Sequence, residues 1–132
     1  MVEIHVLVVD EDLDFAGTLS ERLASKGLKA ESATNGKDAL ATVITARPDI
    51  VILDLKLSDP NGLDVLEAIK TFDPAIEVII FAGPGFGASG IEGMERGAFD
   101  YFIKPIDLDL LLEKIYLAHE KKLGPAATFT VQ

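Results

Sequence analysis

Ile4-His5-Val6-Leu7-Val8-Val9-Asp10-Glu11-Asp12 is a run of six nearly all apolar residues that ends in three consecutive acids. Apolar residues at consecutive rather than alternate positions are what a parallel strand needs when both of its faces are covered. The pattern returns as Ile50-Val51-Ile52-Leu53, closed by a single acid, Asp54, and again as Val78-Ile79-Ile80-Phe81. Two weaker segments complete the set, the polar Lys29–Ala33 and the short Tyr101–Ile103.

Helical patterns fill the intervals. Asp12 or Asp14 can cap a helix carrying Phe15, Ala16, Leu19 and Leu23 on one face, with Gly27 to stop it. Asn35-Gly36 turns into a helix with Ala39, Leu40, Val43 and Ile44 as its apolar residues, ending before Arg47-Pro48. Pro60-Asn61-Gly62 is a turn that leads into a helix through Leu66 and Ile69. Asp107 caps a last helix whose Leu108, Leu111, Leu112, Ile115 and Ala118 face inward. Strictly alternating strands and helices predict an α/β domain: a five-stranded parallel sheet, doubly wound, with helices on both faces. The polar second and short fifth strands suit the edges and the apolar three suit the middle. Right-handed crossovers then favour the order 2-1-3-4-5, the known flavodoxin-like order.

Composition narrows the function classes. A chain of 132 residues, 48% of them hydrophobic, supports one domain with a real core. A net charge of −10 repels nucleic acid phosphates and suits cations or basic partners, so no direct nucleic acid binding is expected. The absence of cysteine excludes disulfides and thiolate metal sites and fits a cytoplasmic protein. No apolar run approaches the roughly 20 residues of a membrane helix. The start at Met1 runs straight into a strand, which gives no sign of a signal peptide. Residues 1–123 read as the domain, and Gly124-Pro125 begins a tail or linker over 124–132.

The chemistry gathers at the carboxyl ends of the strands. Asp10, Glu11 and Asp12 follow the first strand and Asp54 ends the third, so three or four carboxylates converge if those strands are neighbours. That point is the switch of the sheet, where ligands of open α/β folds bind. Crowded carboxylates raise one another's proton affinity unless a cation neutralises them. With only oxygen ligands on offer, a hard ion such as Mg²⁺ is the expected cofactor. Asp12 is assigned to helix capping; Asp10, Glu11 and Asp54 are assigned to the metal. Lys104-Pro105 follows the fifth strand, and a lysine there reaches across the strand ends as a point charge for phosphate. Alone it would read as a solvated surface lysine; beside the acids it does not. The Lys104-Pro105 bond is a candidate for the cis form.

Other motifs carry less. Gly85-Phe86-Gly87-Ala88-Ser89-Gly90 matches G-x-G-x-x-G, but it follows the fourth strand and lacks a second nucleotide-binding half. His5, inside a strand, and His119, on the last helix, read as structural residues rather than metal ligands.

Together these residues resemble the response-regulator receiver family (CheY-like) from about Ile4 to Lys122. The motifs are the acidic pair Asp10-Glu11, Asp54 ending the third strand, Gly62 eight residues later, and Tyr101 three residues before Lys104-Pro105. The resemblance implies that Asp54 accepts a phosphoryl group from a histidine kinase or phosphotransfer protein. It implies that Glu11 and Asp54 bind Mg²⁺ directly, Asp10 through water and Lys56 through its backbone carbonyl. Lys104 would pair with a phosphoryl oxygen and Tyr101 would be the aromatic switch. The module would signal by promoting its own phosphorylation and dephosphorylation rather than turn over a substrate.

The chain also departs from the family. Ala82 stands where Thr or Ser is usual, and Ser58 where Pro is usual. Gly83–Gly97 holds six of the eleven glycines, and at about 1 kcal/mol per helix-interior glycine the fourth helix should be weak. Ala82 and these glycines raise the alternative of a pseudo-receiver, a docking module whose output ignores phosphorylation. A second alternative, an aspartate-nucleophile phosphatase, wants an acid two positions after the nucleophile, where this chain has Lys56. Leu110 and Leu117 lie off the inward stripe of the last helix and are candidates for contact with a second copy or an effector.

Overall fold

The computed structural model describes residues 3–83 and 87–123. Along the chain run β1 (His5–Val9), α1 (Leu13–Ser25), β2 (Lys29–Ala33), α2 (Gly36–Ala46), β3 (Ile50–Asp54), α3 (Gly62–Phe72), β4 (Glu77–Ala82), α4 (Gly87–Glu95), β5 (Asp100–Ile103) and α5 (Leu108–Leu123). The five strands form one parallel sheet in the order β2-β1-β3-β4-β5. Every residue of β1, β3 and β4 is buried, whereas the edge strands β2 and β5 are mostly exposed or half-buried.

Successive strand residues point to opposite faces, so each central strand feeds two cores. Leu7, Val9, Val51, Leu53, Val78 and Ile80 meet Ala39 and Val43 of α2 and Val65, Leu66 and Ile69 of α3. Val6, Val8, Ile50, Ile52, Ile79 and Phe81 meet Ala16, Leu19 and Leu23 of α1 and Leu111, Ile115 and Ala118 of α5. Each such large side chain contributes about 1.5–3 kcal/mol through burial.

Side-chain caps start α1, α2, α3 and α5. Asp12 accepts from the Phe15 N–H, Asn35 from Asp38, Asn61 from Asp64 and Asp107 from Asp109. Each cap is worth about 1 kcal/mol. Gly27, with φ +92°, lies just past the end of α1, and Arg47 closes α2 in the left-handed conformation. Both Asp59-Pro60 and Lys104-Pro105 are cis.

Ile44 is 57% exposed and does not join the apolar stripe of α2. The buried stripe follows Gly36, Ala39 and Val43, and Ile44 sits about 100° round the helix from Val43. The glycines of α4 also have a role beyond lowering helix propensity. A Cβ at Gly90 would lie 2.6 Å from the Tyr101 ring, and one at Gly93 would collide with Ile80. These glycines let α4 settle against β4 and β5. Of the G-x-G-x-x-G match, Gly85 and Phe86 lie outside the described residues, as do residues 124–132.

Candidate functional site

The register that pairs Val9 with Leu53 brings the end of β1 beside the end of β3. Asp10 follows the first strand directly and Asp54 closes the third, so the two carboxylates become neighbours, 2% and 5% exposed. Backbone turns orient each of them. Asp10 Oδ1 accepts from the Asp12 N–H at 2.9 Å, and Asp54 Oδ1 accepts from the Lys56 N–H at 2.9 Å.

Lys104 arrives from β5. Its N–H donates to the Ala82 carbonyl at 2.9 Å, which fixes the base of the side chain beside the end of β4. Its ammonium then lies 2.7 Å from Asp10 Oδ2, 3.6 Å from Asp54 Oδ2 and 4.2 Å from the centre of the Phe15 ring. Two buried carboxylates thus share one cation. Burial pushes the Asp54 carboxyl above the usual range; the Lys56 N–H counters this, the negative charge of Asp10 adds to it, and Lys104 offsets part. The excess negative charge on an oxygen-only donor pair fits a hard divalent cation.

The carboxylate convergence is narrower than the sequence reading. Glu11 turns to the loop after β3, where its carboxylate accepts from both the N–H and the hydroxyl of Ser58. Asp12 caps α1. Among the described residues no group of three or more His, Cys, Asp or Glu is placed to hold a metal ion. The reason is chemical: Ser58 offers two donors where a proline would offer none, and an exposed carboxylate takes them.

Ala82 ends β4, fully buried, with a methyl group facing the core that Tyr101 packs against. Tyr101 is half-buried on β5. Leu110 and Leu117 are 41% and 42% exposed on α5. His5 pairs with Glu31 at the opposite end of the sheet, and His119 is buried in α5. Phe15 and Ser58 are the site residues the sequence reading missed. Phe15 was absorbed into the inward stripe of its helix. The donors of Ser58 matter only once a loop 47 residues away comes alongside. No helix among the described residues is long and apolar enough to cross a membrane.

Residues 6–116 match the family model described as response regulator receiver domain. The transcriptional regulatory protein ZraR of Salmonella typhimurium is 35% identical over 124 residues, which is 92% of this chain and 28% of that protein. The acid tolerance regulatory protein ActR of Rhizobium meliloti is 32% identical, over 91% of this chain and 62% of its own length. The chain therefore spans less than two thirds of these curated relatives. Among solved structures, the receiver domain of NtrX from Brucella abortus superposes with a TM-score of 0.82 at 30% identity, covering 87% of this chain and 98% of that one. A CheY-like receiver domain protein from Methanospirillum hungatei gives 0.86 at 25% identity, covering 92% and 97%.

Proposed function

Because the chain belongs to the response regulator receiver domain family, we propose that it takes a phosphoryl group onto Asp54 from a phosphohistidine of a kinase or phosphotransfer protein. The observation that carries this reading is Lys104 lying over Asp10 and Asp54 at the ends of β1 and β3. A carboxylate oxygen of Asp54 attacks phosphorus. A P–O bond forms, the P–N bond to the donor imidazole breaks, and its electron pair leaves with the imidazole. Lys104 sits where it can neutralise charge on a phosphoryl oxygen, and the backbone turn from Lys56 holds Asp54 in place. This is positioning and charge neutralisation, the general logic of phosphoryl transfer. Receiver domains of this family generally use Mg²⁺, which supplies further neutralisation when bound. Asp10, Glu11, Asp54 and the Lys56 carbonyl are the groups proposed to hold it.

The chain modifies itself rather than turning over a substrate. Residues 1–123 are proposed as the signalling unit, with 124–132 as a tail or linker. Output through Tyr101, and a contact through Leu110 and Leu117 on α5, belong to the same proposal. A docking module indifferent to phosphorylation has less support, since Asp10, Asp54 and Lys104 are all present and joined. The test is incubation with acetyl phosphate and Mg²⁺, read by intact mass. Wild type should gain one phosphoryl group and Asp54→Asn none; equal labelling of the two would remove the assignment.

A further inference from the structure

Phe15 lies on the buried side of α1, where an apolar residue needs no further explanation. Its ring nevertheless presents its face to the Lys104 ammonium, with Nζ 4.2 Å from the ring centre. The orientation is braced. Phe15 packs edge-on against Phe81, with centroids 6.4 Å apart at 78°, and Phe81 packs edge-on against Phe102, 6.0 Å apart at 77°. Phe102 is two residues before Lys104 on the same strand. A chain of three rings therefore runs from the base of the lysine, through the core, to a seat under its ammonium.

We propose that Phe15 is a positioning residue for Lys104, its ring face holding the ammonium over Asp54 by a cation–π contact. This rests on the reading of Lys104 as the phosphoryl partner. The present distances show the ammonium nearer to Asp10, at 2.7 Å, than to Asp54, at 3.6 Å. When Asp10 is engaged in holding a metal, its hold on the lysine weakens. The ring is a partner of another kind. It carries no charge, does not titrate, offers nothing to a hard cation, and so holds the lysine without competing for the metal. A leucine would fill the space without attracting the ammonium.

The test uses the intact chain with mono-, di- and trifluorinated phenylalanine at position 15, alongside Phe15→Leu and Phe15→Tyr. Fluorine drains the ring face of electron density and changes its shape little, so these variants keep the fold. In the protein without metal or phosphodonor, the Lys104 methylene protons next to the ammonium should show a ring-current shift that Phe15→Leu abolishes. The rate of Asp54 phosphorylation by acetyl phosphate should fall stepwise with each fluorine. It should fall roughly three- to tenfold in Phe15→Leu and be retained in Phe15→Tyr. A flat fluorine series beside an impaired Lys104→Ala would overturn the role of Phe15 and leave that of Lys104 intact. Absence of the ring-current shift in wild type would also overturn it. A Lys104→Ala protein phosphorylated at the wild-type rate would overturn both.

Discussion

The carboxylate of Glu11 accepts two hydrogen bonds from Ser58, one from its N–H at 3.1 Å and one from its hydroxyl at 2.5 Å. These bonds clasp the loop after β1 to the loop after β3 beside Asp10 and Asp54. First the hydroxyl and then the N–H hold the Glu11 carboxyl below its usual range, against a small opposing effect of burial.

If Glu11 helps to hold a metal, as proposed, it must first give up its hydrogen bonds to Ser58. Ser58→Pro removes both donors and Ser58→Ala removes one. The midpoint of a Mg²⁺ titration, followed by NMR shifts of the Lys56 and Glu11 amides, should move to lower concentration in Ser58→Ala and further in Ser58→Pro. Identical midpoints in all three proteins would show that Glu11 plays no part in the site or that the clasp costs nothing to open.

Gly62 should tolerate no side chain. A Cβ there would lie 2.5 Å from Leu55 Cα and 2.8 Å from the Asp54 carbonyl oxygen, both of them backbone atoms that cannot turn aside. Gly62→Ala should cost about 1–3 kcal/mol in urea unfolding and slow phosphorylation by displacing Asp54. Gly17 supplies the contrast. It lies inside α1 with nothing within 4 Å of its added Cβ, so Gly17→Ala should gain up to about 1 kcal/mol. Equal effects at the two positions would contradict the packing argument.

Asp49 ties the sheet to α5 at the end opposite the site, accepting from the His5 N–H at 2.9 Å and from Lys122 at 2.5 Å. Burial pushes its carboxyl up, but the His5 N–H and the Lys122 ammonium, helped by His119, outweigh that and leave it below the usual range. A carboxyl depressed in the folded state contributes stability above its unfolded value, near pH 4, and loses it as pH falls through the folded value. Asp49→Asn should therefore cost about 1–2 kcal/mol at pH 7, and the gap from wild type should close as pH falls below about 4. A gap independent of pH would assign the loss to packing instead.

The sheet order was legible because Lys29–Ala33 is polar and Tyr101–Ile103 is short, so both could only be edges. The juxtaposition of Asp10, Asp54 and Lys104 was legible because each stands at or just after the carboxyl end of a strand and the three read together. The turn of Glu11 toward Ser58 was not legible, because sequence adjacency to Asp10 says nothing about where a side chain turns and its donors come from another loop. Phe15 looked like core because helical periodicity cannot tell a ring that only fills space from one that also faces a cation. Gly90 and Gly93 were read as a helix penalty, since the neighbours that need their missing side chains, Tyr101 and Ile80, lie on strands β5 and β4.

Ala82 bears on how phosphorylation would reach the surface. It is fully buried at the end of β4, and its carbonyl is held by the Lys104 N–H at 2.9 Å. Its methyl group has no polar hydrogen to donate, so a side-chain bond to a phosphoryl group on Asp54 would be missing. A hydrogen bond to a charged acceptor is worth about 1.5–3 kcal/mol. If made only in the active state, its loss lowers the active population roughly ten- to a hundredfold relative to a threonine-bearing relative. A second feature acts in the opposite direction. The Tyr101 ring lies against Gly90, in space a Cβ there would occupy, and packs against the core cluster to which the small Ala82 belongs. The ring therefore has room near the core before any phosphoryl group arrives, and the difference between resting and phosphorylated states should be small. NMR of wild type with Mg²⁺ and beryllofluoride should show limited shifts at Tyr101 and Lys104. Ala82→Thr should enlarge them, and Gly90→Ala should move the Tyr101 signals even without ligand. A large, saturating two-state change in wild type, to which Ala82→Thr adds nothing, would mean that the strand-end hydroxyl is dispensable here.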